Sequence, residues 1–365
     1  MTGGMETYAY EVATELAKRG HEVNVLTLKQ NCDGQEENFR CLPVLYGHSY
    51  LDRETVANGK DKYDVTHVMN AAWSWVCSKE HPTFLSIHGN DFLSPNPVDG
   101  LCLKKRFNLP FGDNLDFRIA NYRTPRKMRK HMKNTRKIFS NSEYTKKVFA
   151  SVFPTLESKV EVGLLGLGQD FQDISPSIKK KHNRPIRLVS VCRLSESRKN
   201  IDGVIRALAY LKTEFDFTYH VIGDGVLKSE LESLATSLNI NDRITFHGRL
   251  RTEDLIRLLV GSDLFVLVPR LNKRSYEGFG IVYLEANACG IPVLATNQAG
   301  PAEAVKDGVS GYFSQSADCE SIAQSLRRFF MFELSFDSTL CVSFAKSFSW
   351  AKLVDQFELA YVSVA

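Results

Sequence analysis

The stretch LFVLVPRLNKRSYEGFGIVYLEANACGIPVLAT, Leu264 to Thr296, decides how this chain is built. Leu264 to Val268 is a short apolar run, long enough for one buried strand. Pro269 ends it, because proline brings no N–H to a sheet ladder. A loop through Tyr276-Glu277-Gly278-Phe279-Gly280 follows, then a helical pattern from Ile281 to Cys289. Gly290 and Pro292 punctuate the helix end, and Pro292 to Thr296 begins the next strand. In an open parallel sheet, ligands bind beyond the carboxyl ends of the strands. Gly278 and Gly280 leave bare backbone at the helix start, where unpaired N–H groups and the positive helix end suit a phosphate or a polar sugar. Glu277 and Glu285 add two carboxylates eight residues apart. Ionised carboxylates only accept, and each can take two hydroxyls, as a sugar ring or a ribose offers.

The chain has 365 residues, enough for two domains of ordinary size. Its net charge of +4 selects no partner class. Eight cysteines occur without a Cys-x-x-Cys pair, so neither a zinc ribbon nor a thioredoxin-type redox motif is indicated. No secretory leader or membrane-spanning run is legible. The expectation is a cytoplasmic, reducing location.

Glu277-Gly278-Phe279-Gly280-Ile281 through Glu285-Ala286 resembles the donor-site signature of the retaining GT-B-fold glycosyltransferases, group 1, family 4. The resemblance implies an α/β chain of two Rossmann-like domains facing across a cleft. It places an acceptor-side domain at 1–172, a linker at 173–185 and a nucleotide-sugar donor domain at 186–348. A terminal helix at 349–365 packs back on the first domain. Glu277 approaches the donor hexose, the backbone from Gly278 and Phe279 to Gly280 and Ile281 faces sugar and phosphate, and Glu285 binds the ribose.

Other positions match the same pattern. Arg187 to Cys192 reads as a strand, and Arg193 and Lys199 follow it. Two cations at the carboxyl end of a first strand fit a pyrophosphate, and the family spacing agrees. Arg249 and Leu250 resemble the turn that lies against the nucleotide base. Asp224, in Gly223-Asp224-Gly225, reads as a turn residue. His88 matches the family's Ser-Ile-His-Gly position facing the sugar, and Asp91 after it reads as a helix N-cap. Gly3 and Gly4 match a loop close to donor phosphate or acceptor. Family members usually carry an apolar strand before that loop. Its absence creates the expectation that the native product begins upstream or that this copy is impaired, since losing a central strand leaves unpaired edges.

Residues 104–137 hold twelve Lys or Arg against Asp113 and Asp116, interleaved with Phe107, Leu109, Phe111, Phe117, Ile119 and Met128. Such a surface suits an anionic lipid leaflet, each cation contributing on the order of 1 kcal/mol. No nucleic-acid recognition motif accompanies it.

The chemistry expected is hexosyl transfer from a UDP- or GDP-sugar, as substrate and without a further cofactor, to a glycan or lipid-linked acceptor in cell-envelope polysaccharide or lipopolysaccharide synthesis. No Asp-x-Asp occurs, so metal independence is expected. His88, Glu277, Arg193 and Lys199 are the catalytic candidates. A nicotinamide oxidoreductase is disfavoured, because the Gly-x-Gly runs at Gly166, Gly223 and Gly278 lack the third glycine of the dinucleotide fingerprint. A non-catalytic or impaired sugar-nucleotide-binding homologue is the alternative.

Overall fold

A computed structural model describes residues 4–28, 38–46, 49, 51–60, 62–96, 98, 112–174, 185–272 and 275–363. Gly3, the basic residues at 104–111 and the Lys179-Lys180-Lys181 stretch of the expected linker lie outside the described residues. The chain divides into two compact units: Gly4–Leu165 with Trp350–Ala365, and Gly166–Ser349 with residues 1–3. The second unit therefore starts at Gly166, ahead of residue 172. The Leu167 N–H donates to the Phe348 carbonyl at 3.2 Å, which ties this segment to the second unit.

The first unit opens with α1 (Gly4–Lys18), whose Tyr8, Val12 and Leu16 recur at helical spacing and are buried. Strands β1 (Asn24–Leu28) and β2 (Arg40–Leu45) pair in parallel. Helix α2 (Arg53–Lys60) follows. Strands β3 (Thr66–Val68) and β4 (Thr83–Ile87) come next, then the short α3 (Asn90–Leu93), the long α4 (Gly112–Met132), β5 (Lys137–Ser140), α5 (Glu143–Val152) and β6 (Val160–Val162). Strands β3-β4-β5-β6 form a second parallel sheet. One apolar core joins the two sheets: Leu45 of β2 and Val68, Leu85, Ile87 and Ile138 of the other sheet bury together with Met128, Met132 and Phe149.

The second unit is a six-stranded parallel sheet in the order β12-β11-β10-β7-β8-β9. Its elements are β7 (Ile186–Val191), α6 (Ile201–Leu211), β8 (Phe217–Ile222), α7 (Lys228–Ser237), β9 (Ile244–Gly248), α8 (Thr252–Gly261), β10 (Leu264–Val266), α9 (Ile281–Ala288), β11 (Val293–Thr296), α10 (Pro301–Ala304), β12 (Gly311–Ser314), α11 (Cys319–Phe330) and α12 (Ser338–Lys346). From β7 the chain first builds outward through β8 and β9. It then returns to the other side of β7 and builds through β10, β11 and β12. The strand order reverses between β7 and β10, where crevices open at the carboxyl ends of such sheets.

Strand β10 is three residues long, not the five that its apolar run suggests. Leu267 and Val268 are fully buried all the same. The Val266 carbonyl accepts from the Ser190 hydroxyl, and the Val268 carbonyl accepts from Asn200 Nδ2 at 2.8 Å. Side chains thus take acceptors that a neighbouring strand would otherwise use.

Helix α13 (Trp350–Val362) closes the chain and belongs with the first unit. Its Trp350 ring lies edge-on to Tyr8 at 5.7 Å and Phe357 packs on Phe139 at 4.4 Å. Arg19 of the turn after α1 reaches Asp355 at 2.7 Å and Glu358 at 2.5 Å.

Cys77, Cys192, Cys289, Cys319 and Cys341 are free thiols, whereas Cys41 is disulfide-bonded.

Candidate functional site

The loops that leave β7 and β10 meet at the reversal point of the second sheet. After β7, residues Ser197–Lys199 make one 3-10 turn, and Asn200 follows in the left-handed region at φ 61°. Asn200 is fully buried; its Nδ2 donates to the carbonyls of Val268 and Ala317, both at 2.8 Å. After β10, the Arg270 N–H donates to the Arg198 carbonyl at 2.7 Å, while its guanidinium grips Asp202 through two bonds of 2.9 and 2.7 Å. The two loops are therefore fixed to each other before any ligand arrives.

Glu277 stands where they converge. Lys199 Nζ lies 2.6 Å and an Arg198 guanidinium nitrogen 2.7 Å from the same carboxylate oxygen, Oε2. Burial alone would push this carboxyl up. The Lys199 ammonium and the Arg198 guanidinium outweigh it and hold the group at about 2, so Glu277 is an anion at any working pH. The neighbouring Cys192 thiol is pushed up to about 12 by burial, with Lys199 opposing, and stays protonated. The Tyr283 phenol is raised by burial too and donates to the Leu267 carbonyl at 3.0 Å.

Three residues past Glu277 the helix α9 begins. Gly280 is its N-cap at φ 92°, with no side chain capping the first turn. A side chain at Gly280 would meet the Tyr283 ring at 2.4 Å, so only glycine fits. The first-turn N–H groups are left for solvent or an anion. The Gly300 N–H donates to the Glu277 carbonyl at 3.1 Å, and a Cβ on Gly300 would strike the Gly278 carbonyl oxygen at 2.2 Å. Gly300 thus seats the loop by close backbone contact. Phe279 is 1% exposed and packs against Phe348, so only its backbone is available to a ligand. Glu285 is half-buried on the second turn of α9.

Arg193 is exposed on the loop after β7, and the two cations on Glu277 are Lys199 and Arg198. The second cation is Arg198, which sequence spacing passed over. Two adjacent basic residues in one turn give no signal of which way each points. Asp224 behaves as expected, its carboxylate accepting from the next N–H, that of Gly225, at 2.9 Å. Arg249 is exposed and Leu250 half-buried just beyond β9.

In the first unit, His88 follows β4. Its imidazole is buried, bonds the Met69 backbone and leaves Nε2 without a partner among the described residues. Burial lowers its pKa against the pull of Asp91. The Tyr8 ring lies edge-on at 4.6 Å. Asp91 is not the N-cap of α3; Gly89 holds that position. The Asp91 carboxylate accepts instead from the N–H groups of His88 and Ala71, both at 2.9 Å, and so fixes the loop that presents His88. Gly4 is the first residue of α1, and a Cβ there would meet nothing within 4 Å, so packing does not demand a glycine.

Family comparison decides the class. Residues 170–333 match the family described as Glycosyl transferases group 1, and residues 2–163 match Glycosyltransferase Family 4. The chain belongs to the group 1 glycosyltransferases. This glycosyltransferase is 26% identical over 393 residues to the D-inositol 3-phosphate glycosyltransferase of Mycolicibacterium gilvum, covering 98% of this chain and 84% of the relative. It is 31% identical over 196 residues to a GDP-mannose-dependent alpha-(1-6)-phosphatidylinositol monomannoside mannosyltransferase of Mycolicibacterium smegmatis, covering 51% of this chain and 50% of the relative. The fold matches the crystal structure of Anabaena HepE in complex with UDP-glucose at a TM-score of 0.72 and 19% identity, over 100% of this chain and 97% of that one. The glycosyltransferase therefore has the two-domain, Rossmann-like GT-B fold.

Proposed function

We propose that this glycosyltransferase moves a hexose from a nucleoside diphosphate sugar to a hydroxyl of a glycan or lipid-linked acceptor, with retention at the anomeric carbon. The observation that carries the reading is Glu277, held ionised by Lys199 and Arg198 three residues before an uncapped helix start. Cations and free N–H groups suit the diphosphate, and a fixed carboxylate suits sugar hydroxyls. Oε2 is occupied by the cations, which leaves Oε1 to accept from the ring. Glu285 is assigned to the ribose, and the turn at Arg249 and Leu250 to the base. Gly4 keeps backbone bare for donor phosphate or acceptor, and the free Nε2 of His88 serves a hydroxyl of the substrates.

In the proposed step the bond from the anomeric carbon to the diphosphate oxygen breaks. The acceptor oxygen bonds to that carbon on the same face, and its proton passes to the departing phosphate oxygen. Negative charge grows on the leaving diphosphate, where preorganised positive groups act most strongly. Arg193, Lys199 and the α9 start supply that charge, so turnover is expected to survive EDTA. The relatives' names include a GDP-mannose-dependent enzyme and a complex with UDP-glucose, so both bases belong in the test. A panel of UDP- and GDP-hexoses, with products weighed by mass spectrometry and anomers assigned by NMR, should give one retained-configuration hexoside. Donor turnover with inverted product would refute retention, and no transfer from any donor would refute the whole reading.

The second part of the reading is a working place at the cytoplasmic face of a membrane. Among the described residues no helix is long and apolar enough to cross a bilayer. On α4, Leu115, Arg118, Tyr122, Arg126 and Arg129 share one exposed face at spacings of three and four, and Lys133 follows in the turn after it. The opposite positions Ala120, Thr124, Met128 and Met132 are buried. A basic face with an exposed aromatic fits an anionic leaflet, where a lipid-linked acceptor would reside.

A further inference from the structure

Arg198 and Lys199 share one oxygen of Glu277, and that sharing poses a problem of charge. On the proposed function, from which this step starts, Lys199 serves the donor diphosphate. In the structure its ammonium already bonds Glu277 at 2.6 Å. When a diphosphate draws Lys199 away, Glu277 keeps its charge only if another cation stays. We propose that Arg198 is the positioning residue of this site, the resident counter-ion that keeps Glu277 charged and aimed while Lys199 is exchanged between Glu277 and the donor's diphosphate.

The two cations are built for different tasks. The Arg198 side chain is 11% exposed and wedged between two acids, with Glu277 at 2.7 Å and Glu196 at 2.6 Å. Its backbone carbonyl is tied to the Arg270 N–H. A guanidinium held by acids on two sides and by its own backbone has little freedom to leave. The Lys199 ammonium has one side-chain partner among the described residues, Glu277, and its flexible stem carries a point charge that can change partners. Both cations occupy Oε2, so the swing of Lys199 leaves one strong bond on that oxygen and Oε1 undisturbed.

Among the described residues the charges that act on Glu277 are those of Lys199 and Arg198, with Glu196 paired to Arg198 beside them; the Cys192 thiol at the end of β7 and the Tyr283 phenol of α9 feel the Glu277 charge in turn. The thiol and phenol are both raised by burial and stay neutral, and Glu196 adds negative charge. Arg198 is therefore the one fixed positive charge among them. Without it, a buried carboxylate facing a departing Lys199 takes up a proton, and a protonated Glu277 no longer orients the sugar by accepting alone.

The test is the pH dependence of kcat at saturating donor, which reports groups of the donor complex, measured between pH 4.5 and 8.5 in the wild type, R198M and R198K. The wild type should be flat on its acid side. R198M should gain an acid limb, with kcat falling at least about tenfold between pH 7 and pH 5, since each pH unit below the break costs a factor of ten. R198K should restore the flat acid side. An R198M profile that falls in level but keeps the wild-type shape makes Arg198 merely structural and overturns the proposal. If R198M does not fold, R198K decides: a new acid limb in that charge-conserving variant also overturns it. A wild type that transfers from no donor sinks the proposed function instead, and calorimetric uptake of nucleoside diphosphate by the wild type separates the two failures.

Discussion

Glu277, Lys199 and Asn200 each do one physical job at the donor-side loop. Glu277 is a buried anion sustained by two cations. Its pKa is depressed, so the stability it adds is whole above the ordinary carboxylate range and is lost as pH falls through that range toward about 2. Lys199→Met removes one positive group facing the growing charge of the leaving diphosphate. Its kcat should fall by about 2.7–4 kcal/mol of barrier, the usual cost of losing such a donor. Steady-state kinetics on a variant with unchanged circular dichroism checks this; a loss under fivefold contradicts it. Asn200→Ala takes the partner from two buried carbonyls, Val268 and Ala317. Unpaired buried groups cost about 1–3 kcal/mol each, so chemical denaturation should show a clear drop in midpoint. The glutamates and glycines of this site were legible in sequence because they punctuate a clear strand and helix. Arg198 and Asn200 were not, since their roles depend on a left-handed residue and on a 3-10 turn that brings both Arg198 and Lys199 to one carboxylate.

At the scale of elements, α13 is tied to the first unit by a buried polar chain. Tyr361 and His67 Nδ1 are 2.5 Å apart, His67 Nε2 and Ser86 2.8 Å, and Ser86 and Tyr8 2.7 Å. Burial lowers the His67 pKa to about 3, with His88 adding to the shift. The folded unit therefore holds His67 neutral while the unfolded chain protonates it near pH 6.5. Between those values the unfolded state binds more protons, so stability falls as pH falls, at about 1.4 kcal/mol per pH unit from this group. Thermal melts from pH 7 to 4 should show that slope, and His67→Gln should flatten it; an equal slope in both proteins contradicts the assignment. Helix α4 makes a second prediction. Reversing Arg118, Arg126 and Arg129 to Glu should abolish flotation with anionic vesicles and leave the core intact, because all three are exposed. Equal flotation of wild type with neutral and anionic vesicles would remove the membrane reading. Element existence was readable from the apolar pattern and its punctuation, as in α9 and β7. The end of β10 was not, because its carbonyls are claimed by Ser190 and Asn200 from elsewhere in the chain.

For the whole molecule, the order of strands explains why the chemistry gathers where it does. Parallel strands need long crossovers. The crossovers from β7 and β10 run to opposite sides, which parts their loops and opens a place at the sheet's carboxyl edge. Arg270, Asp202 and Asn200 pin those loops together, and the cation pair on Glu277 fills the point where they join. Family membership fixes glycosyl transfer, and the proposed reading of this geometry is capture of a diphosphate beside a fixed carboxylate. Isothermal titration calorimetry of the intact protein with UDP and GDP tests that claim most directly. The account predicts one equivalent of one of them bound by the wild type, with affinity at least about tenfold weaker in Lys199→Met, as one lost charged hydrogen bond implies. No heat from any nucleoside diphosphate, or equal affinity in the two proteins, would contradict it.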